Sequence, residues 1–368
     1  MSSTCSADSF SLYDQEAWEN LGRIYSNAED PVVQELWLLG RYHGQYHSTF
    51  GTDSEGYETR RLRYGAQARL FGQMTIHAQA ISGFDINPFY NGFSELWIQW
   101  DFSPELKISL GQQKHRFTHD RNVSSRYLNY LERGMLTNMF GADYTPAVTA
   151  QGAIDDLSYY AGIFSNSTGR DMIDSFTEYD SGHSLLLAAY WDFTPDDNFY
   201  KAYAHFSTVQ SSARETATNL DRFDQGYSAA GIVTDDSLSM IVELLAGLES
   251  SSGNSYGINI QPGVFLADDI QLVGRYQAAW STDDRGLEPQ RRYESGLKDG
   301  RQYQAGYLGL NYYLRRHRFK VMTGLEYARM DNEAQWTFGS MVRFYFGPHS
   351  GGAFPMNQML PGSLFEFD

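Results

Sequence analysis

The 368-residue chain holds a single cysteine, Cys5. One thiol excludes an intrachain disulfide framework and any cysteine-built metal centre. Proline is scarce, at 10 residues, and lysine is rarer than arginine. No run approaches the ~18 apolar residues that a membrane-crossing helix requires, and mean hydropathy is −0.47. A helical membrane protein is therefore excluded. Basic excess is missing as well. Lys plus Arg total 28 against 45 acids, a net charge of −17, which argues against a nucleic-acid partner. Phosphate-loop, dinucleotide and nucleophile-elbow motifs are absent, so no cofactor is expected. The opening Met1–Phe10 lacks the basic-then-apolar order of a secretory signal. An exported form would have that segment removed or outside this sequence.

What is present is aromatic and small. Tyr (26), Phe (23) and Gly (34) are abundant. Such a chain suits pleated strands that carry aromatic girdles. From Glu35 onward the hydrophobic period is two. Leu62, Tyr64, Ala66, Ala68 and Leu70 alternate with Arg61, Arg63, Gly65, Gln67 and Arg69. Side chains alternate across a strand, so one face here is apolar and the other carries three arginines. A sandwich would turn the charges outward to water; a membrane barrel would turn them inward to a wet lumen.

The connections choose between these. Short turns, four with an Asp-Asp pair, alternate with longer polar stretches. The pattern predicts strands over 35–48, 59–70, 73–83, 93–102, 106–115, 146–154, 157–165, 184–194, 199–208, 225–234, 237–249, 255–266, 270–280, 302–314, 318–330 and 334–346. An even number of strands with the tight turns on one side is the pattern of a bacterial barrel. The expected fold is all-β: a 16-stranded antiparallel transmembrane β-barrel with a short N-terminal helix. Residues 1–34 are read as a periplasmic segment whose helix lies in Ser11–Tyr25, 35–346 as the barrel, and 347–368 as a C-terminal tail. In strand 302–314 the facing stays open, because Leu308, Leu310, Tyr312 and Leu314 compete with Tyr303, Tyr307 and Tyr313. Trp37, Trp97, Trp100, Trp191, Trp280 and Trp336 fall near strand ends and are read as interface girdles.

Three stretches resemble the phosphate-selective porin O and P family: Arg60–Gly65, Leu106–Lys114, and Ser124-Ser125-Arg126 through Glu132-Arg133. The resemblance implies a 16-stranded outer-membrane barrel, a homotrimer, and a third external loop folded into the lumen. By turn counting the longest loop, about 117–145, is that third loop, and loops of such length are usually functional. The closing stretch Thr337–Phe344 resembles the last-strand signal read by the barrel-assembly machinery. The other expected partners are outer-membrane lipid and small hydrophilic or anionic solutes.

A pore selects by width and lining charge. Guanidinium groups lower the cost of bringing an anion out of bulk water. Wall candidates are Arg41, Arg61, Arg63, Arg69, Lys107, Lys201, Arg275, Lys320 and Arg343; loop candidates are Arg116, Arg121, Arg126 and Arg133. The bland reading of each is an arginine paired with a carboxylate that stiffens the loop, Glu132 being the nearest such partner. Glu95, Asp101 and Glu243 add lumen acids. The acidic balance favours a general or weakly anion-selective porin over a dedicated phosphate channel. His43 and His47 read as lumen polar residues, and His115 and His119 lack a third ligand. Two alternatives stand beside this reading: an outer-membrane barrel hydrolase using His183 and Ser184, and a soluble carbohydrate-binding β-sandwich.

Overall fold

Chain alternation builds one closed sheet. The computed structural model describes residues 15–140, 143–194, 200–213, 223–235, 237–248, 253–290 and 292–348. Cys5 and the tail beyond Pro348 lie outside the described residues. Short strand β1 spans Arg23–Ser26, and sixteen barrel strands follow among the described residues, from β2 (Val33–Thr49) to β17 (Glu333–Phe346). Each barrel strand pairs antiparallel with the next, and β17 pairs with β2 from Thr337 opposite Thr49 to Phe346 opposite Gly40. The sheet has no free edge there. The expected strands all occur, with ends displaced by a few residues.

Burial runs opposite to that of a water-soluble protein. Large apolar side chains such as Leu187, Leu244 and Leu308 are 59%, 55% and 60% exposed, while Lys320, Glu243 and Arg343 are 0%, 0% and 2% exposed. An outward apolar face over the whole wall requires apolar surroundings. This overturns the sandwich reading, which needs the greasy face inside. On β15 (Gln302–His317) the parity is settled: Tyr303, Tyr307 and Tyr313 face in, and Leu308, Leu310 and Tyr312 face out.

The interior is filled by the third long loop, residues 115–143. It contains two short helices, α2 (His119–Asn122) and α3 (Met135–Phe140). Phe117, Val123, Leu128, Met135, Leu136 and Phe140 pack on inward wall residues including Tyr190, Ile232 and Leu245. Tyr130 and Leu131 form a second cluster with Val273, Tyr307, Met322 and Met341. The wall makes room with glycine: a Cβ at Gly257 would collide with Leu136.

Two expectations need correction. The N-terminal helix is only Gln15–Glu19 among the described residues, and Arg23–Ser26 is a strand, not the helix's last turn. It pairs with Glu35, Leu36 and Trp37 of β2, below the point where β17 ends. Backbone groups at that exposed edge gain partners they would otherwise lack. Trp18 of the helix packs outside the barrel, 6.3 Å from Phe319 and 6.1 Å from Phe344, ring centre to ring centre. Secondly, Trp37 and Trp97 are not girdle residues. They share parity with Arg41 and Glu95, and Trp97 stacks on His77 at 4.9 Å inside the barrel. Trp191, Trp280 and Trp336 do face out, at 51%, 50% and 46% exposure.

Candidate functional site: the loop-filled lumen

A loop buried inside a barrel brings main-chain groups with no ladder partner, and each must be satisfied. Wall cations take the carbonyls. Arg343 donates to the carbonyls of Leu128, Tyr130 and Leu131 at 2.9, 2.8 and 2.9 Å. Lys320 donates to Leu128 O at 2.8 Å, and Arg275 to Glu132 O at 2.6 Å. Lys114 reaches Val123 O at 3.1 Å. Wall acceptors take the amides. Glu243 accepts from His119 N at 2.6 Å and Asp120 N at 3.3 Å, and Gln277 Oε1 from Met135 N at 2.7 Å. Within the loop, Arg133 donates to Asp120 O at 3.1 Å and Val123 O at 2.6 Å. The loop is gripped through its backbone.

This arrangement refines the expectation that lumen arginines pair with carboxylates. Arg275 does so, 2.9 Å from Glu326, and Arg121 sits 2.7 Å from Asp143. Arg343 and Arg133 instead bind carbonyls. Arg69 stands at the short-turn lip, paired with Asp101 at 3.0 Å, and Lys107 lies opposite the same Asp101 in register. Lys201 opens β10 (Lys201–Ala213) at that end too. These three are remote from the loop.

A second group of cations converges where the grip is looser. Arg41, Lys114, Arg116 and Arg126 line a cavity of about 20 Å³ with Glu95, His77, Tyr144, Ser124 and Ser125. Arg41 donates to Ser125 Oγ at 2.8 Å, and neighbouring Arg63 to Tyr144 OH at 2.6 Å. The Nε atoms of Arg41, Arg63 and Arg126 are buried without an acceptor. Arg61 contacts His43 Nδ1 at 3.4 Å, and Arg116 lies over the Tyr160 ring at 5.6 Å. Four cations against one carboxylate make the cavity electropositive. Burial pushes His119 down to about 4 and His115 down to about 3, so neither adds charge near neutrality.

The three resembling segments meet in space. Arg60 of the first holds Glu132 of the third at 2.6 Å. Burial raises the Glu132 carboxyl, but Arg60, Arg61 and Arg133 together hold it well below the usual carboxylate range. Above this pair opens a vestibule of about 270 Å³, lined in part by Arg60, Glu132, Met139, Arg292 and Tyr293.

A second inward loop, residues 282–301, was not foreseen. Tyr293 O accepts from Gln335 Nε2 at 2.6 Å and Thr337 Oγ1 at 2.5 Å, and Tyr293 OH donates to Gln45 Oε1 at 2.5 Å. Leu287, Tyr293 and Leu297 are buried; those three apolar residues in a polar stretch were the available signal. Glu294, 1% exposed, accepts from Gln290 N at 2.6 Å and from the Tyr303 hydroxyl. Burial, then nearby Glu326, pushes its carboxyl up to about 8. The docked loop thus holds a proton that an undocked one would release above the ordinary carboxylate range. Docking is strongest below that range and is lost as pH rises through about 8. Open-channel current should become noisier between pH 6 and 9, and Glu294→Gln, which keeps the neutral donor–acceptor set, should flatten that change.

Among the described residues, no group of three His, Cys, Asp or Glu side chains is placed to hold a metal ion. The hydrolase candidates separate: His183 contacts Ser212, while Ser184 Oγ lies 3.4 Å from His115 Nε2 on the other face. His115 Nδ1 has no partner, so no acid completes a triad.

The family model described as phosphate-selective porin O and P matches residues 45–225, which hold all three motifs and the whole inward loop. Over that span the chain is similar to the phosphate-selective porins O and P. The chain is accordingly an outer-membrane protein of the Gram-negative type. Solved porin-type structures share the fold. OmpT of Vibrio cholerae matches with TM-score 0.60 at 14% identity, covering 88% of this chain and 100% of that one. OmpF of Salmonella typhi, solved with daunomycin, matches at 0.58 and 12% over 88% and 100%. OprB of Pseudomonas putida matches at 0.57 and 11% over 84% and 94%. No curated protein matches the chain.

Proposed function

We propose that this porin O and P relative is a passive, weakly anion-preferring pore for small hydrophilic solutes. The observation that carries the reading is the cavity beside the inward loop. There Arg41, Lys114, Arg116 and Arg126 face a single carboxylate, Glu95. Guanidinium N–H groups without acceptors are poised for the oxygens of a phosphate or carboxylate. Preference stays weak because Asp101 neutralises Arg69 at the lip and Glu326 neutralises Arg275 deeper in. The site residues are therefore divided by role. Arg41, Arg63, Arg116 and Arg126 act on solute; Arg275, Lys320, Arg343 and Arg133 hold the loop.

A trimer fits this reading. The outer face of β2 exposes Leu38 and Tyr42 at 48% and 37%, and OmpT of V. cholerae, of the same fold, has a trimer form. The test is reconstitution in a planar bilayer under a potassium chloride gradient. Discrete conductance steps are expected, with a reversal potential displaced toward that of chloride. Absence of steps from folded protein removes the pore; a cation-directed potential removes the anion preference.

A further inference from the structure

Arg60 faces the lumen against the period of its strand. In β3 (Glu55–Leu70) Arg61 and Arg63 reach inward, so unbroken alternation would turn Arg60 outward. The ladder to β2 is bulged here. His43 pairs with Arg61 and Gly44 with Thr59, which leaves Arg60 as the extra residue. A bulge re-aims a side chain. This one brings consecutive arginines inside, and Arg60 donates Nε and Nη2 to one oxygen of Glu132 at 3.0 and 2.6 Å.

Arg60 thereby joins the wall of the vestibule of about 270 Å³. That volume is near the lower end for small-molecule sites, about 300 Å³. The two inward loops close it together: α3 and residues 288–293 both line it, and Asn138 Nδ2 donates to Gln290 Oε1 at 3.3 Å. Its charged lining is balanced, with Arg60 and Arg292 against Glu132 and Glu288. Both arginines are also paired, Arg60 with Glu132 and Arg292 with Glu58. A solute of net charge therefore meets little field, in contrast to the cavity around Arg41. Neither sign is saturated, however. Glu132 Oε1 takes the Arg133 amide at a long 3.3 Å. Arg292 engages Glu58 through one nitrogen of a group that carries five N–H donors. Beside these charges, Met135, Met139, Pro289 and Tyr293 supply apolar surface.

We propose that this vestibule binds a zwitterion with an apolar side chain, an α-amino acid of the phenylalanine kind. The carboxylate lies on Arg60 and Arg292, and the ammonium on Glu132 and Glu288. The side chain leaves water for Met135, Met139 and Tyr293, and thioethers attract aromatic rings. This deepens the porin reading and rests on it, the vestibule being a holding site on the path through the lumen.

The experiment titrates the folded full chain in detergent, by calorimetry, with phenylalanine, glycine, phenylacetate and phenethylamine. The same solutes are then added to the protein in a planar bilayer. Phenylalanine should bind at least about tenfold tighter than the others, since each of them lacks one of the three contacts. It should also interrupt the current in a concentration-dependent way. Glu288→Gln should weaken phenylalanine at least about fivefold and leave phenylacetate unchanged, a split that mere loosening of the loop does not produce. Met139→Ser should weaken phenylalanine and spare glycine. Equal binding of phenylalanine and phenylacetate by a protein that conducts overturns the zwitterion site and leaves the pore standing. Tight phenylalanine binding by a folded protein that never conducts overturns the pore, and the holding role with it, while the zwitterion site stands.

Discussion

In the proposed pore, Arg343→Leu should raise single-channel conductance at least about threefold, because that guanidinium holds the loop that fills the lumen. Arg343 serves three carbonyls of the loop within 2.9 Å. Hydrogen bonds from a charged donor contribute about 1.5–3 kcal/mol each, and an orphaned buried acceptor costs a similar amount. Leucine fills part of the volume but offers nothing to Leu128, Tyr130 or Leu131. Those carbonyls then draw water into the lumen, and the stretch from 128 to 131 lifts from the wall. Lys320 still holds Leu128 O, so the loop loosens without being expelled. Lys320→Met added to Arg343→Leu should widen the pore further. The barrel ladder involves neither side chain, so folding, followed by the heat-dependent shift of the intact barrel on a gel, should be kept. A folded variant with unchanged conductance would show that the loop does not set the aperture.

The second large effect concerns charge. Arg41, Arg116 and Arg126 replaced together by glutamine should lower the anion-to-cation permeability ratio at least about tenfold. At partly screened lumen distances each lost charge is worth roughly 1 kcal/mol or more to a passing anion, and 1.4 kcal/mol is tenfold. Glu95 remains to offset Lys114, so the cavity loses most of its positive field. The same change should leave conductance for a neutral sugar nearly constant, since the loop keeps its grip from Arg343, Lys320 and Arg275. Neutralising Arg133 should behave differently. Its contacts are the loop's own carbonyls at Asp120 and Val123, so its loss should change current noise and not ion preference. Equal reversal potentials for the triple variant and the wild type would dismiss the cavity as the selectivity element.

Much of this was legible in the residues. Period-two alternation fixed the parity of Arg41, Arg61 and Arg63, and the interleaving of short and long connections fixed the number of strands. The third loop betrayed itself by length and by apolar residues such as Leu128 and Met135. Parity was also enough to show that Trp37 and Trp97 face in, had it been weighed above their position near strand ends. Other features depend on tertiary geometry that no local pattern records. Arg343 and Arg41 are the same residue type on the same lumen face. Only the height of each on the wall decides whether it meets a carbonyl or an opening. The inward fold of residues 282–301 rests on Gln335, Thr337 and Gln45, three polar residues unremarkable in sequence. Strand β1 was hidden because four residues carry too little periodicity to outweigh the helical spacing of Trp18 and Leu21.

The placement of β1 bears on the order in which the molecule is made. Its partner edge on β2 lies below Phe346, where the terminal hairpin has already been zipped to the opening strand. Trp18, meanwhile, needs Phe319 and Phe344 side by side before it has a seat. The Trp18 contacts bridge some three hundred residues of sequence, and such distant pairings form late, whereas β1 and its partner segment of β2 lie about a dozen residues apart. The helix that carries Trp18 thus settles late, fastening the cylinder only after its two ends have found each other.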